Sequence, residues 1–173
     1  MLYESGNKMG SEQEKRNNCL LREFYKPDKV RILFVGESPP RGGTFFYKEN
    51  SLLYRYTKEA FEQAKKPFSL EYFRHTGCWL FDVCENPVDG LSARFRRQEI
   101  CDNKSRLISA IQSVTPEFIV VVKKGDMKKI VFKTIINTGD YTTGATAFNL
   151  PFPACGHQNQ YRNELVKIIS AIM

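Results

Sequence analysis

VRILFVGESPP, residues 30–40, joins a continuous apolar run to a loop of glycine, proline and polar residues. Short apolar runs that are rich in β-branched residues are typical of parallel strands covered on both faces. EFIVVV, residues 117–122, repeats this pattern. The two segments therefore predict two central parallel strands, and they place Glu37 and Ser38 just beyond the end of the first.

Segments with apolar residues at helical spacing alternate with the apolar runs. Two further strands are predicted at residues 78–84 and 144–150. Helices are predicted at residues 17–26, 52–65, 98–114, 127–136 and 160–172. This alternation predicts an α/β fold, a three-layer αβα sandwich with a mostly parallel, four-stranded central sheet.

The composition indicates one globular domain over residues 17–173, preceded by a flexible segment over residues 1–16. No run approaches the roughly 20 apolar residues of a membrane span, and the N-terminus lacks the apolar stretch of a secretory signal. We therefore expect an intracellular protein with no membrane partner, cytoplasmic or, in a eukaryote, nuclear. The five cysteines include no C-x-x-C pair, which argues against a disulfide framework or a zinc site. No metal or other cofactor is expected.

The net charge of +7 favours a polyanionic partner, because each Lys or Arg that neutralises a phosphate releases a condensed counterion. The basic residues form two clusters, first Arg94, Arg96, Arg97, Lys104 and Arg106, and then Lys123, Lys124, Lys128, Lys129 and Lys133. For the second cluster, a solvated helix face is an equally good explanation.

Ligands of parallel α/β sheets bind in the crevice at the carboxyl ends of the strands, where residues 36–40 are expected. The chain has no G-x-G-x-x-G fingerprint, and no Gly-Lys-Ser/Thr follows the strand. Dinucleotide and nucleoside triphosphate enzymes are therefore disfavoured. An ordinary solvated turn carboxylate is the alternative explanation of Glu37.

Five segments, in order, resemble motifs of the uracil-DNA glycosylase superfamily, most like its mismatch-specific and hypoxanthine-acting branches. FVGESPP is similar to the first motif, a hydrophobic strand followed by Gly-x-x-Pro, and GTFFYKENSLLY is similar to the aromatic-rich stretch after it. LFDVCENPVDGLS resembles the middle motif, with Asp82 where many members have Asn. SRLISAIQSVTPEFIVVVKKGDMKKI resembles the helix, proline and strand that follow. LPFPACGHQNQYRNEL is similar to the second catalytic motif, with Leu150 in place of its histidine.

The resemblance implies a site. Glu37, helped by Ser38 and Asn50, would position water or stabilise the sugar cation. Gly36, Asp82 and one ring of Phe45 or Phe46 would contact the flipped base. The residues that it places at DNA are Arg96, Arg97, Pro151, Pro153, His157, Gln158 and Arg162. The alternatives are core packing for the phenylalanines, helix capping for Asn50, turn capping or an arginine pair for Asp82, and simple exposure for His157.

The function that the resemblance implies is a monofunctional DNA glycosylase of base excision repair. It would flip a damaged or deaminated base, such as uracil or hypoxanthine, out of duplex or single-stranded DNA, hydrolyse its N-glycosidic bond and leave an abasic site. It would act as a monomer without a nucleotide cofactor. Because Ser38, Asp82 and Leu150 depart from the familiar catalytic patterns, a weakly active or inactive nucleic-acid-binding protein is the alternative. An enzyme of small nucleosides or sugars is a third reading, which the basic clusters disfavour.

Overall fold

A computed structural model describes residues 3–123, 129, 130, 132, 133 and 144–173, with side chains from residue 12 onward. The four strands of its single sheet are parallel and lie in the order β2-β1-β3-β4. They are β1 (Ile32–Gly36), β2 (Cys78–Asp82), β3 (Phe118–Val122) and β4 (Thr146–Leu150). The α/β class and the parallel four-stranded sheet are thus confirmed.

Helices cover both faces of the sheet. β1 and β2 are buried at every position, and their sequences are apolar except for Asp82 at the end of β2. The helices are α1 (Tyr3–Phe24), α2 (Leu52–Gln63), α3 (Leu70–His75), α4 (Ala93–Asp102), α5 (Lys104–Val114) and α6 (Gln158–Ile172). In the described part of the chain, no helix is both long and apolar enough to cross a membrane.

Three of the predicted helices either differ from the structure in their bounds or lie mostly outside the residues that it describes. α1 begins at Tyr3 rather than near residue 17, because the polar residues before that point include many good helix formers. The predicted helix over 98–114 is two helices that meet at Asn103, whose side-chain amide donates to the Glu99 carbonyl and so competes with helical hydrogen bonds. The helix predicted at 127–136 lies mostly outside the described residues.

The aromatic triplet that follows the β1 loop closes the open edge of the sheet. β2 is an edge strand, and the Leu80 N–H donates to Tyr47 Oη at 2.7 Å. The Tyr47 hydroxyl donates in turn to the Leu80 carbonyl at 3.1 Å. Tyr47 is buried, so its hydroxyl replaces the backbone groups of a neighbouring strand.

Replacing Tyr47 with phenylalanine is expected to lower the free energy of unfolding by about 2 kcal/mol, because it leaves a buried N–H and a buried C=O without their partner. Urea denaturation measures the change. Tyr72→Phe is the control, since the Tyr72 hydroxyl makes no hydrogen bond within the described residues. Equal losses in the two variants would contradict the edge-closing role of Tyr47.

Candidate functional site

A cavity of about 290 Å³ opens at the carboxyl ends of the strands. β1 contributes Gly36 and Glu37, β2 ends there with Asp82, and β3 contributes Val122 followed by Lys123. The topology explains its position. The chain passes from β1 to β2 on one side and returns to β3 on the other, and such a switch in strand order leaves a crevice between the connecting segments.

Glu37 is bound by two cations in the wall of this cavity. Arg96 Nε donates to Glu37 Oε1 at 2.6 Å, while Arg96 Nη2 and Lys123 Nζ both donate to Oε2. The Glu37 side chain is only 10% exposed. It is therefore not the solvated turn carboxylate that the alternative explanation supposed.

The two cations respond differently to their surroundings. The hydrogen bond with Glu37 raises the pKa of Arg96. Burial lowers the pKa of Lys123, although Glu37 opposes that change. The site thus holds two positive charges around one carboxylate, and both cations donate to the same oxygen, Oε2.

Asp82 lies deep in the cavity with 8% of its surface exposed. No described residue donates a hydrogen bond to its carboxylate. Burial raises the pKa of Asp82 to about 6, although Arg22 and Arg106 act in the opposite direction. An ionised carboxylate accepts hydrogen bonds only, so near neutral pH this group is suited to a ligand N–H.

Gly36 provides the space that the Asp82 carboxylate occupies. A Cβ atom at position 36 would lie 2.2 Å from Asp82 Oδ1. The Gly36→Ala variant is therefore expected to lose about 2 kcal/mol of unfolding free energy, or to turn the Asp82 side chain, since real packing tolerates no such contact. In a protein that already carries Asp82→Ala, and so lacks the carboxylate, the Gly36→Ala substitution should cost less unfolding free energy than it does in the unmodified protein. Denaturation of the four proteins measures this coupling, and strictly additive losses would contradict the contact.

Phe45 and Phe46 both line the cavity, and both are buried. Phe46 contacts the rings of Tyr47, Tyr54 and Phe73 at centroid distances of 5.2, 5.7 and 5.2 Å. Phe45 makes one such contact among the described residues, with Tyr47 at 5.6 Å. Phe46 is thus held in the aromatic core, and Phe45 is the better candidate for the floor under a bound ring.

The side chains of Ser38 and Asn50 support loops. Ser38 lines the cavity, and its Oγ accepts from the Val88 N–H at 3.2 Å, which ties the β1 loop to the β2 loop. Asn50 does not line the cavity. Its Oδ1 accepts from the Phe45 N–H at 2.8 Å. The explanation of Asn50 as a helix cap is wrong, because Ser51 caps α2 by accepting from the Tyr54 N–H.

The residues predicted to contact DNA are spread over several environments. Arg97 and His157 are exposed, Gln158 is half-buried, and Pro151 and Pro153 are buried. Arg162 donates to Glu59 Oε2 at 2.9 Å, so α2 already provides a partner for it. Arg96 lies in the cavity wall with Glu37 rather than on the outer face of α4. The structure therefore divides this group among the protein surface, the interior and the cavity wall.

The cavity residues that were absent from the predicted site include two charged side chains and one exposed ring, those of Asp89, Lys123 and Phe152. Asp89 lines the cavity and accepts from the Arg41 N–H at 3.2 Å, and Phe152 lines it from the loop after β4. Lys123 was grouped with surface lysines. The sequence signal that could have placed Lys123 in the site was its position. Lys123 directly follows β3, as Glu37 directly follows β1, and the carboxyl ends of parallel strands lie at the same edge of the sheet.

Within the described residues, no three histidine, cysteine, aspartate or glutamate side chains form a group that could hold a metal ion. A comparison with models of known protein families finds no match to this chain, and a comparison with curated proteins finds none either.

Proposed function

We propose that this chain binds a flipped nucleobase in the cavity and hydrolyses its N-glycosidic bond. One observation carries the proposal. Segments far apart in sequence place an anion, an aromatic wall and a buried hydrogen-bond acceptor around one cavity of about 290 Å³, which suits a single base with part of its sugar. These groups are Glu37, the rings of Phe45 and Phe46, and Asp82.

Each group matches a requirement of the reaction. A base removed from the helical stack regains stacking energy on an aromatic face, about 1 to 3 kcal/mol per base, and Phe45 offers such a face. Asp82 accepts from a ring N–H or an exocyclic amine. Glu37 supplies the negative charge that opposes the oxocarbenium charge of the sugar in the transition state.

The departing base gathers negative charge and needs donors. Leu150 is a buried β4 residue that cannot donate from its side chain. Arg96 and Lys123 reach the cavity with positive charge, and a preorganised cation at a developing anion is a large source of rate enhancement. We assign the leaving-group role to this pair. Arg96 was predicted to contact DNA, and Lys123 was absent from the predicted site.

DNA is the polymer that we propose presents the base. The net charge of +7 favours a polyanion, and Phe152, 37% exposed, stands at the cavity beside the loop that carries His157. An apolar side chain at such a position can fill the gap that a flipped base leaves in the stack. Hypoxanthine fits an ionised Asp82 better than uracil does, because its N1–H has one neighbouring carbonyl oxygen to repel the carboxylate, whereas the uracil N3–H lies between two.

The test uses labelled oligonucleotides that contain uracil, hypoxanthine, xanthine or a mismatched pyrimidine, in single strands and in duplexes. Alkali after incubation cuts at abasic sites, so strand cleavage measures base excision. Cleavage that is specific to one modified base supports the proposal. Binding that weakens with salt, without excision from any of these substrates, overturns it.

A second candidate function is nucleic-acid binding without hydrolysis. The pairing of Glu37 with two cations favours it, because hydrogen bonds from Arg96 and Lys123 occupy both carboxylate oxygens, which would otherwise accept from a water. On this reading the cavity recognises a base and retains it. The same oligonucleotides distinguish the two functions.

A further inference from the structure

Lys123 brings a primary amine into the cavity. It is the first residue after β3, its side chain is 24% exposed, and its Nζ donates to Glu37 Oε2. Arg96 Nη2 donates to the same oxygen, so a second cation lies beside the amine. Lysines act as nucleophiles where desolvation or a neighbouring cation makes the neutral amine accessible.

Both conditions apply to Lys123. Burial has the largest influence on the pKa of Lys123 and lowers it, and the charge of Arg96 lowers it further. Glu37 acts in the opposite direction, yet its carboxylate is also the nearest acceptor for the proton that the amine must lose. The amine, an acceptor for its proton and a second cation thus lie together at the wall of one cavity.

We propose that Lys123 is a nucleophile that forms a Schiff base with C1′ of an abasic deoxyribose and gives the protein an abasic-site lyase activity. The inference rests on the proposed function, because base excision is what would leave the sugar aldehyde at this cavity. It would extend the activity beyond that of a monofunctional glycosylase.

The reaction begins when the Lys123 ammonium gives one proton to Glu37. The amine lone pair then forms a bond to C1′ of the ring-opened sugar, and a second proton moves from nitrogen to the aldehyde oxygen. Glu37 returns its proton to this hydroxyl, which leaves as water, and a protonated imine joins Lys123 to the sugar. The carboxylate of Glu37 is regenerated at this point.

The protonated imine makes the C2′ hydrogens acidic, and in the proposed reaction the carboxylate of Glu37 removes one of them. The electron pair of that C–H bond becomes a C2′–C3′ double bond as the C3′–O bond breaks, and the 3′ phosphate leaves with its electrons. Water then hydrolyses the imine, which frees Lys123 and an unsaturated aldehyde. One strand is cut, and no metal or redox partner is consumed.

The bland alternative is that Lys123 only balances the charge of Glu37. The Lys123→Arg variant distinguishes a nucleophilic role from charge balance alone. Arginine keeps the positive charge and the donors, but it stays protonated and cannot attack a carbonyl. Lys58→Arg is the matched control, since Lys58 is an exposed α2 lysine that does not line the cavity. Thermal denaturation establishes that the variants are folded.

The experiment incubates the protein with a preformed abasic-site oligonucleotide and sodium cyanoborohydride. Hydride from the reagent reduces the imine to a stable amine, which appears as a covalent protein–DNA band on a denaturing gel. We expect the band with the unmodified protein and with Lys58→Arg, its loss with Lys123→Arg, and an adduct mass on the peptide that contains residue 123.

Two results would overturn the lyase. One is binding of the oligonucleotide by the unmodified protein with no adduct, and the other is an adduct that persists in Lys123→Arg or maps to another residue. The proposed function is judged separately. Base excision without an adduct refutes the lyase and leaves the proposed function standing, whereas an adduct at Lys123 without excision of any base supports the lyase and refutes excision.

Discussion

Base excision by the Glu37→Gln variant is expected to be slower by at least about 100-fold, the lower end of what a positioned acid, base or charge contributes to catalysis. Glutamine has nearly the same shape as glutamate, so the substitution removes the charge and little of the volume. It also leaves Arg96 and Lys123 without the anion that now binds both. The cavity therefore becomes positive where the sugar cation would develop.

Binding and chemistry should separate in this variant. The loss of one negative charge next to two cations should leave the affinity for DNA unchanged or higher, because phosphate binding is electrostatic. Single-turnover excision and a binding titration at the same salt concentration measure the two quantities. Glu62→Gln, an exposed α2 substitution, is the control. Full excision by Glu37→Gln would remove Glu37 from the mechanism.

Relative to the unmodified protein, the Asp82→Asn variant is expected to gain about 2 kcal/mol of stability between pH 4.5 and pH 8. Burial raises the pKa of Asp82 to about 6, so between pH 4 and pH 6 the folded chain binds a proton more tightly than the unfolded chain does. The contribution of this group to the free energy of unfolding therefore falls as pH rises through that window, and it stays low above it. Asparagine has no such cost.

Urea denaturation at the two pH values measures the difference between the proteins. Asp28→Asn provides the control, because it makes the same change of side chain at an exposed position. A stability gain that is the same at pH 4.5 and pH 8 would show that ionisation of Asp82 is not its source.

Asp82→Asn should also change base preference. An asparagine amide both donates and accepts, so it can pair with a carbonyl oxygen and an adjacent ring N–H, which ionised aspartate cannot. The change favours uracil more than hypoxanthine, because the uracil N3–H lies between two carbonyl oxygens that repel a carboxylate and the hypoxanthine N1–H lies beside one. We expect the ratio of uracil excision to hypoxanthine excision to rise about tenfold, the equivalent of one hydrogen bond of about 1.4 kcal/mol. An unchanged ratio would place the base away from residue 82.

The sequence and the structure agree where local patterns decide the outcome. A short, mostly apolar run rich in β-branched residues, such as residues 30–35, is typical of a parallel strand covered on both faces, and β1 and β3 form as expected. Glu37 follows such a strand, so its place at the carboxyl edge of the sheet could be predicted. Similarly, the apolar spacing of residues 160–172 predicted most of α6.

The aromatic residues show where local reasoning ends. Phe45, Phe46 and Tyr47 are consecutive, yet Phe45 faces the cavity with few ring neighbours, Phe46 joins the core, and Tyr47 bonds the backbone of Leu80. The role of each ring depends on the residues that the turn brings into contact with it. Composition alone does not distinguish the three.

The sequence alone determines the α/β class, the parallel strands and the position of one carboxylate at their carboxyl ends. These features follow from side-chain periodicity and burial along short segments. The tertiary structure alone decided the partners of that carboxylate. Arg96 and Lys123 lie 59 and 86 residues from Glu37 and reach it from α4 and the end of β3. Ion pairs form between residues that the fold brings close together, even when they are far apart in the sequence. Local sequence patterns therefore do not predict these partners.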